Sequence, residues 1–237
     1  MLEIIIKALS NSKAHLHEAL HLLLETSFVH AIDAPSLSLL IPMLDNGLMM
    51  HDNACKHMAA QLMGNICSLV KEPSDLLPYI PILMPAIKNS LFDSIPEIRA
   101  SAAKALGSLS KGLGVANSME ILTWLKDHLN TEGIPAAERL GAAQGFSELI
   151  SVHGDRFFEV NILEIIANIK HPKGDIRESF RSVIVFLPNS YGKFVEKLPS
   201  LIPLMIEGLA DDKDECRKAS MRSIKICIKK FARDAPD

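Results

Sequence analysis

The sequence predicts an all-α protein, an α-solenoid of about six two-helix units. Three observations lead there. Four stretches about 40 residues apart share one helical register. A second apolar-periodic segment lies upstream of most of them. No run alternates with the period of two that marks a strand.

The four stretches are EIRASAAKALGSL (97–109), AERLGAAQGFSEL (137–149), DIRESFRSVIVFL (175–187) and ECRKASMRSIKIC (215–227). Each carries arginine at its third position, Arg99, Arg139, Arg177 and Arg217, at spacings of 40, 38 and 40. Two weaker copies precede them. NACKHMAAQLMGNI begins at Asn53 with Lys56 in the arginine slot, and HLHEALHLLLETS begins at His15 with His17 there. Seven residues past each anchor stand Leu24, Met63, Leu106, Phe146, Ile184 and Ile224. Ten past it stand Ser27, Ile66, Leu109, Leu149, Leu187 and Cys227. Offsets of three, seven and ten share one helix face. The upstream segments YIPILMPAIKNSLF (79–92), SMEILTWLKDHL (118–129), EVNILEIIANI (159–169) and LPSLIPLMIEGL (198–209) read as the first helix of each unit.

Helix, short turn with Asp, Gly or Pro, helix, about every 40 residues, resembles the HEAT pattern. The expected units cover about 1–30, 33–71, 78–113, 118–153, 158–192 and 198–233. The basic anchors Lys56, Arg99, Arg139, Arg177 and Arg217 are expected to reach acids in their own or a neighbouring turn, such as Asp93 or Asp211. The result is a ladder that fixes stacking. An exposed rung of this kind contributes roughly 0–1 kcal/mol. Stacked aliphatic faces supply most of the stability, at ~25 cal/mol per Å² buried. Gly141 and Gly145, four apart in a second helix, are expected where a neighbouring helix approaches closely.

Composition agrees. Hydrophobic residues make up 48% and aromatics only 5%, so the core is aliphatic. The net charge of −3 excludes polyanion binding by the chain as a whole and leaves room for a local basic patch. The four cysteines, Cys55, Cys67, Cys216 and Cys227, form no C-x-x-C and read as buried free thiols. There is no N-x-[ST] acceptor, no signal-peptide pattern, and no apolar run of ~18 residues. A cytoplasmic protein is expected. Periodicity starts at Leu2 without a cap, and a strongly amphipathic segment closes the chain, so a piece of a longer solenoid is expected.

Two motifs invite chemistry. His17, Glu18 and His21 spell H-E-x-x-H, which places two imidazoles on one helix face as zinc peptidases do. The rest of that apparatus is missing. Leu24 and Ser27 stand where the long form needs glycine and a third histidine, and no strand is present to hold an extended substrate. In GSLSKGLG (107–114), Gly107 and Gly112 have phosphate-loop spacing, but Leu113 stands in the lysine slot and the segment ends a helix. Gly114 reads as a helix stop. With no legible catalytic set, no enzyme activity, metal or cofactor is expected.

One surface stands out. Between Arg217 and Arg233 lie seven basic residues and no acid. Lys218, Arg222, Lys225 and Lys229 form one helical stripe, opposite Ser220, Ile224, Cys227 and Phe231. Such a stripe suits phosphates or an acidic partner, and it also suits plain solvation. The acidic run ADDKDE (210–215) offsets its near end.

DAPSLSLLIPMLDNGL (33–48), QLMGNICSLVKEPSDLLPYI (61–80), PEIRASAAKALGSLSKGLG (96–114) and ERLGAAQGFSEL (138–149) resemble the general-control translational activators. They resemble the central HEAT region of that family, which is itself similar to the HEAT domain of fungal elongation factor three. The resemblance is dense over 33–150 and looser to 233. It implies a segment of a long ribosome-associated solenoid that supports a kinase of initiation factor two during amino-acid starvation. The implied partners are the ribosome, through protein or RNA, and neighbouring HEAT repeats. Kinase docking and ATP hydrolysis are not implied for this segment. The alternative from the residues alone is a general protein-binding HEAT scaffold of the nuclear-transport or phosphatase type.

Overall fold

The computed structural model describes residues 2–26, 31–70 and 72–231. Among them every regular element is a helix, and the architecture is the all-α solenoid class. Two compact units divide the chain, Met1–Met119 and Glu120–Asp237.

In the first unit, α1 (Leu2–Ser10) packs on α2 (Ser12–Glu25), and α3 (Ala34–Met49) on α4 (Asn53–Leu69). A short helix α5 (Pro73–Leu76) and a 3₁₀ turn (Leu77–Tyr79) lead into α6 (Ile80–Leu91), which packs on α7 (Pro96–Asn117). The second helices stack in turn, α2 on α4 and α4 on α7. Local chemistry sets the boundaries. The Asp33 carboxylate accepts from the Ser36 backbone N–H at 3.0 Å, with Pro35 in the first turn of α3. Asp52 does the same for α4, accepting from the backbone N–H of Cys55 at 3.0 Å. Gly47 lets α3 and α4 close, because a β-carbon there would stand 2.7 Å from Cβ of Ala59. Ser27 lies outside the described residues.

In the second unit, α8 (Met119–Leu129) precedes α9 (Ala136–Ile169), α10 (Gly174–Ser190), α11 (Phe194–Glu207), a 3₁₀ turn (Gly208–Ala210) and α12 (Asp214–Phe231). α9 is two helices run together, broken at Gly154 with φ 75°. Gly114 breaks α7 in the same way, also with φ 75°. Only glycine takes this backbone without strain. The sequence pointed to a helix stop at Gly114 and missed Gly154, although the string HGD (153–155) carried the same signal. The first half of α9 meets α10, and the second meets the residue that caps the C-terminus of α10. Ser147 Oγ donates to the Val183 carbonyl at 3.3 Å, and Phe158 stacks on Tyr191 with centroids 4.9 Å apart. Four of the six positions seven past the anchors, Met63, Leu106, Phe146 and Ile184, lie in the core. Met63, Leu106 and Phe146 are fully buried, while Leu24 and Ile224 are half-buried. Gly141 and Gly145 are both buried.

Candidate partner interface

The anchors sit at the first turns of the second helices, and their side chains reach into the turns. Three of the four arginines donate Nη1 to carbonyls of the turn before their own helix. Arg99 meets Asp93 O at 2.7 Å and Ser94 O at 2.9 Å; Arg177 meets His171 O at 3.0 Å and Pro172 O at 2.9 Å. Arg217 meets Asp211 O at 2.7 Å and Asp212 O at 2.9 Å. Arg139 instead donates Nη2 to Ile134 O at 3.2 Å. Three anchors also reach an acid of the following unit. Lys56 Nζ lies 3.0 Å from Asp93, Arg139 Nη1 lies 2.6 Å from Glu178, and Arg177 grips Asp211 with two bonds of 2.9 and 3.0 Å.

These rungs are not the exposed pairs that spacing alone suggests. The side chains of Arg139 and Glu178 are 5% and 11% exposed, and those of Arg177 and Asp211 are 12% and 5%. Buried ions must be paired, because an orphaned one costs several kcal/mol. Further contacts tie the rungs together in the second unit. Lys213 lies 2.8 Å from Glu178 and also pairs with Asp175, which accepts from the Gly133 backbone N–H at 3.0 Å. These bonds, with Lys213 first and Gly133 next, hold the Asp175 carboxyl down at about 2. Burial pushes Asp211 upward, but Arg177 and the Lys213 N–H outweigh it and hold that carboxyl well below the usual range. Arg181, one turn beyond an anchor, drew no attention in the sequence. It is buried, donates to Leu204 O at 3.0 Å and to Ser220 Oγ at 3.3 Å, and lies 3.5 Å from Asp211. Gly208 makes room for it, since a β-carbon there would stand 2.1 Å from Nη1.

The basic stripe lies on α12 as the spacing implied. Lys218, Arg222, Lys225 and Lys229 are exposed, while Ser220 and Cys227 are buried on the far side. Lys218 pairs with Asp214 at 2.5 Å, one turn earlier. Among the described residues, Arg222, Lys225 and Lys229 have no acidic partner. Lys230 turns back and donates to the Pro188 carbonyl. Arg233 lies outside the described residues.

The two invitations to chemistry resolve as helix surface and helix end. His17, Glu18 and His21 are exposed on α2, and the Nδ1 of His21 lies 3.6 Å from Glu25. Among the described residues no three His, Cys, Asp or Glu side chains converge as a metal site. Within GSLSKGLG, Ser110 Oγ donates to Ser118 Oγ at 2.7 Å, and Gly112 is crowded by Leu76. Burial pushes Cys55 and Cys67 up to about 12 and Cys216 to about 11. These thiols stay protonated and unreactive near neutrality.

Helix pairs keyed through their turns by basic anchors define a HEAT-repeat segment. Residues 15–120 match the elongation factor 3/GNC1 HEAT repeat family. It is 38% identical to Protein ILITYHIA of Arabidopsis thaliana over 95% of the chain. It is 40% identical to the eIF-2-alpha kinase activator GCN1 of Dictyostelium discoideum over 97%. It is 35% identical to the stalled ribosome sensor GCN1 of Homo sapiens over 98%. It spans only 8–9% of the length of these relatives. Elongation factor 3 of Candida albicans is 36% identical over 95 residues, 40% of the chain and 9% of that protein.

Proposed function

We propose that this chain serves as a non-catalytic scaffold segment in translational control. It works within a ribosome-associated protein that supports activation of the initiation-factor-two kinase during amino-acid starvation. The observation that carries this reading is similarity along nearly the whole chain to proteins named as kinase activators and as a stalled ribosome sensor. The segment acts in the cytoplasm, and no described helix is long and apolar enough to cross a membrane. Its partners are the ribosome and neighbouring HEAT repeats, with kinase docking left to other parts of the protein.

The mechanism is steric and electrostatic. Aliphatic stacking and the buried rungs hold the helix pairs rigid. That rigidity presents Arg222, Lys225 and Lys229 as a fixed row with uncommitted charge. Such a row fits phosphates or acidic side chains at spacings set by one helix face. Lys218 contributes less, because Asp214 engages its charge. The test is co-sedimentation with purified ribosomes. Arg222→Glu, Lys225→Glu and Lys229→Glu together reduce binding several-fold. Unchanged binding removes the row from the interface. Recovery of transport or phosphatase proteins without ribosomes favours the general scaffold reading.

A further inference from the structure

α8 and the second half of α9 are equivalent helices 40 residues apart. Their inward positions agree: Ile121, Leu122, Leu125 and Leu129 match Asn161, Ile162, Ile165 and Ile169, and all eight are buried. Their outward positions diverge. On α8 these are Glu120, Thr123 and Asp127; on α9 they are Val160, Leu163 and Ala167, and all six are exposed. Val160 and Leu163 are 69% and 71% exposed, the most exposed large hydrophobic side chains among the described residues. A lone exposed aliphatic needs no explanation, but these two adjoin on one helix stripe.

Repeat stacking does not reach this stripe. Lys126 of α8 bonds Glu164 at 2.5 Å on one flank of the helix. Lys197 of α11 pairs with Glu159 on the other, and Lys193, just before α11, pairs with Asp155 at 2.5 Å. On the inner side Phe158 stacks on Tyr191. Neighbours of this chain therefore occupy three sides of the helix, and the stripe is what they leave open.

Charge decides what suits it. Among the described residues neither Glu120 nor Asp127 has a basic partner, and Lys126 beside them is held by Glu164. Seven residues apart, the two acids stand about 10 Å from each other along α8. Arg156 and Lys170 mark the ends of the apolar stripe, and Lys170 lies 3.4 Å from Glu207. An aliphatic stripe beside a row of free carboxylates repels nucleic acid and anionic lipid, and it attracts a surface that is apolar and basic.

We propose that the outward face of α8 and the second half of α9 receives a basic amphipathic helix of another protein. Aliphatic side chains at i, i+3, i+4 and i+7 of that helix cover Val160, Leu163 and Ala167. Lysines or arginines two turns apart along one of its edges meet Glu120 and Asp127. The contact lies on different helices from the basic row of α12 and has the opposite charge preference.

The probe is a short fluorescein-labelled helical peptide of Ala, Leu and Lys, with leucine at i, i+3, i+4 and i+7 and lysine along one edge. One control has the same composition in scrambled order, and the other has Glu for Lys. Anisotropy with the whole chain reads binding. The patterned Lys peptide binds at least tenfold tighter than either control. Val160→Gln with Leu163→Gln lowers that affinity at least tenfold. Glu120→Lys with Asp127→Lys reverses the preference, so that the Glu peptide becomes the tighter ligand. All four side chains are exposed, and helical circular dichroism of both variants stays at the unaltered level. Equal binding of patterned and scrambled peptides overturns the proposal, as does affinity indifferent to Val160 and Leu163. A preference that does not reverse overturns the basic character of the partner. Self-association of the chain lost in the Gln variant identifies a second copy as the occupant and overturns the proposal. Binding of single-stranded RNA or anionic vesicles lost in the same variant overturns it too.

Discussion

Replacing Arg139 by Met tests whether the turns are welded by buried charge. The guanidinium bonds Glu178 at 2.6 Å and Ile134 O at 3.2 Å, and its side chain is 5% exposed. Removing one partner of a buried pair costs ~3–5 kcal/mol, because the other ion is left without compensation. Here Lys213 remains 2.8 Å from Glu178, which places the loss near the lower end, about 3 kcal/mol. Lys173→Met supplies the control. It breaks the Lys173–Glu132 pair, whose side chains are 55% and 51% exposed, and such a pair contributes less than ~1 kcal/mol. Urea denaturation followed by helical circular dichroism compares the two midpoints directly. Adding Glu178→Met to Arg139→Met then regains at least half of the lost stability, since an apolar pair in a buried site does without both ions. An Arg139→Met midpoint no lower than that of Lys173→Met would refute the buried-rung account, and so would a double variant weaker than the single one.

Other outcomes follow from the same contacts. The carboxyls of Asp175 and Asp211 lie below their unfolded values, so their stabilisation is complete above about pH 4 and lost as pH falls toward 2. These two carboxylates leave the urea midpoint unaffected from about pH 5 to 7 and lower it below 4, and Asp175→Asn makes that low-pH fall shallower; an unchanged slope below pH 4 contradicts the assignment. Gly208→Ala displaces the buried Arg181 guanidinium and lowers stability by ~1–3 kcal/mol, whereas a neutral effect shows that the guanidinium moves aside freely. Gly154→Ala strains a backbone at φ 75° and ψ −162°, a region only glycine visits, and destabilises by ~1–3 kcal/mol in the same denaturation, even though nothing crowds the site.

Spacing made the anchors visible, because an arginine recurring every 38–40 residues has no local explanation. It did not reveal their burial. Glu178 follows Arg177 directly, yet it pairs with Arg139, 39 residues earlier, and that partnership exists only once α9 and α10 are stacked. Arg181 was silent for the same reason: its contacts with Leu204 and Ser220 are assembled by three helices. The basic stripe was legible from periods of three and four, and the acidic run beside its near end from sequence order, though not which acid, Asp214, engages Lys218. The Gly154 break was carried by a single residue inside an otherwise continuous helical pattern, which periodicity does not register.

The scaffold account stands most directly on the salt dependence of ribosome binding by this chain. Co-sedimentation across a salt series yields a line of log affinity against log salt. For the unaltered chain its slope is clearly negative. With Arg222, Lys225 and Lys229 reversed, the slope is shallower by roughly 2, as expected when three cations no longer displace counterions. Binding with the same slope in both proteins, or none by the unaltered chain at low salt, contradicts a partner surface built on this row.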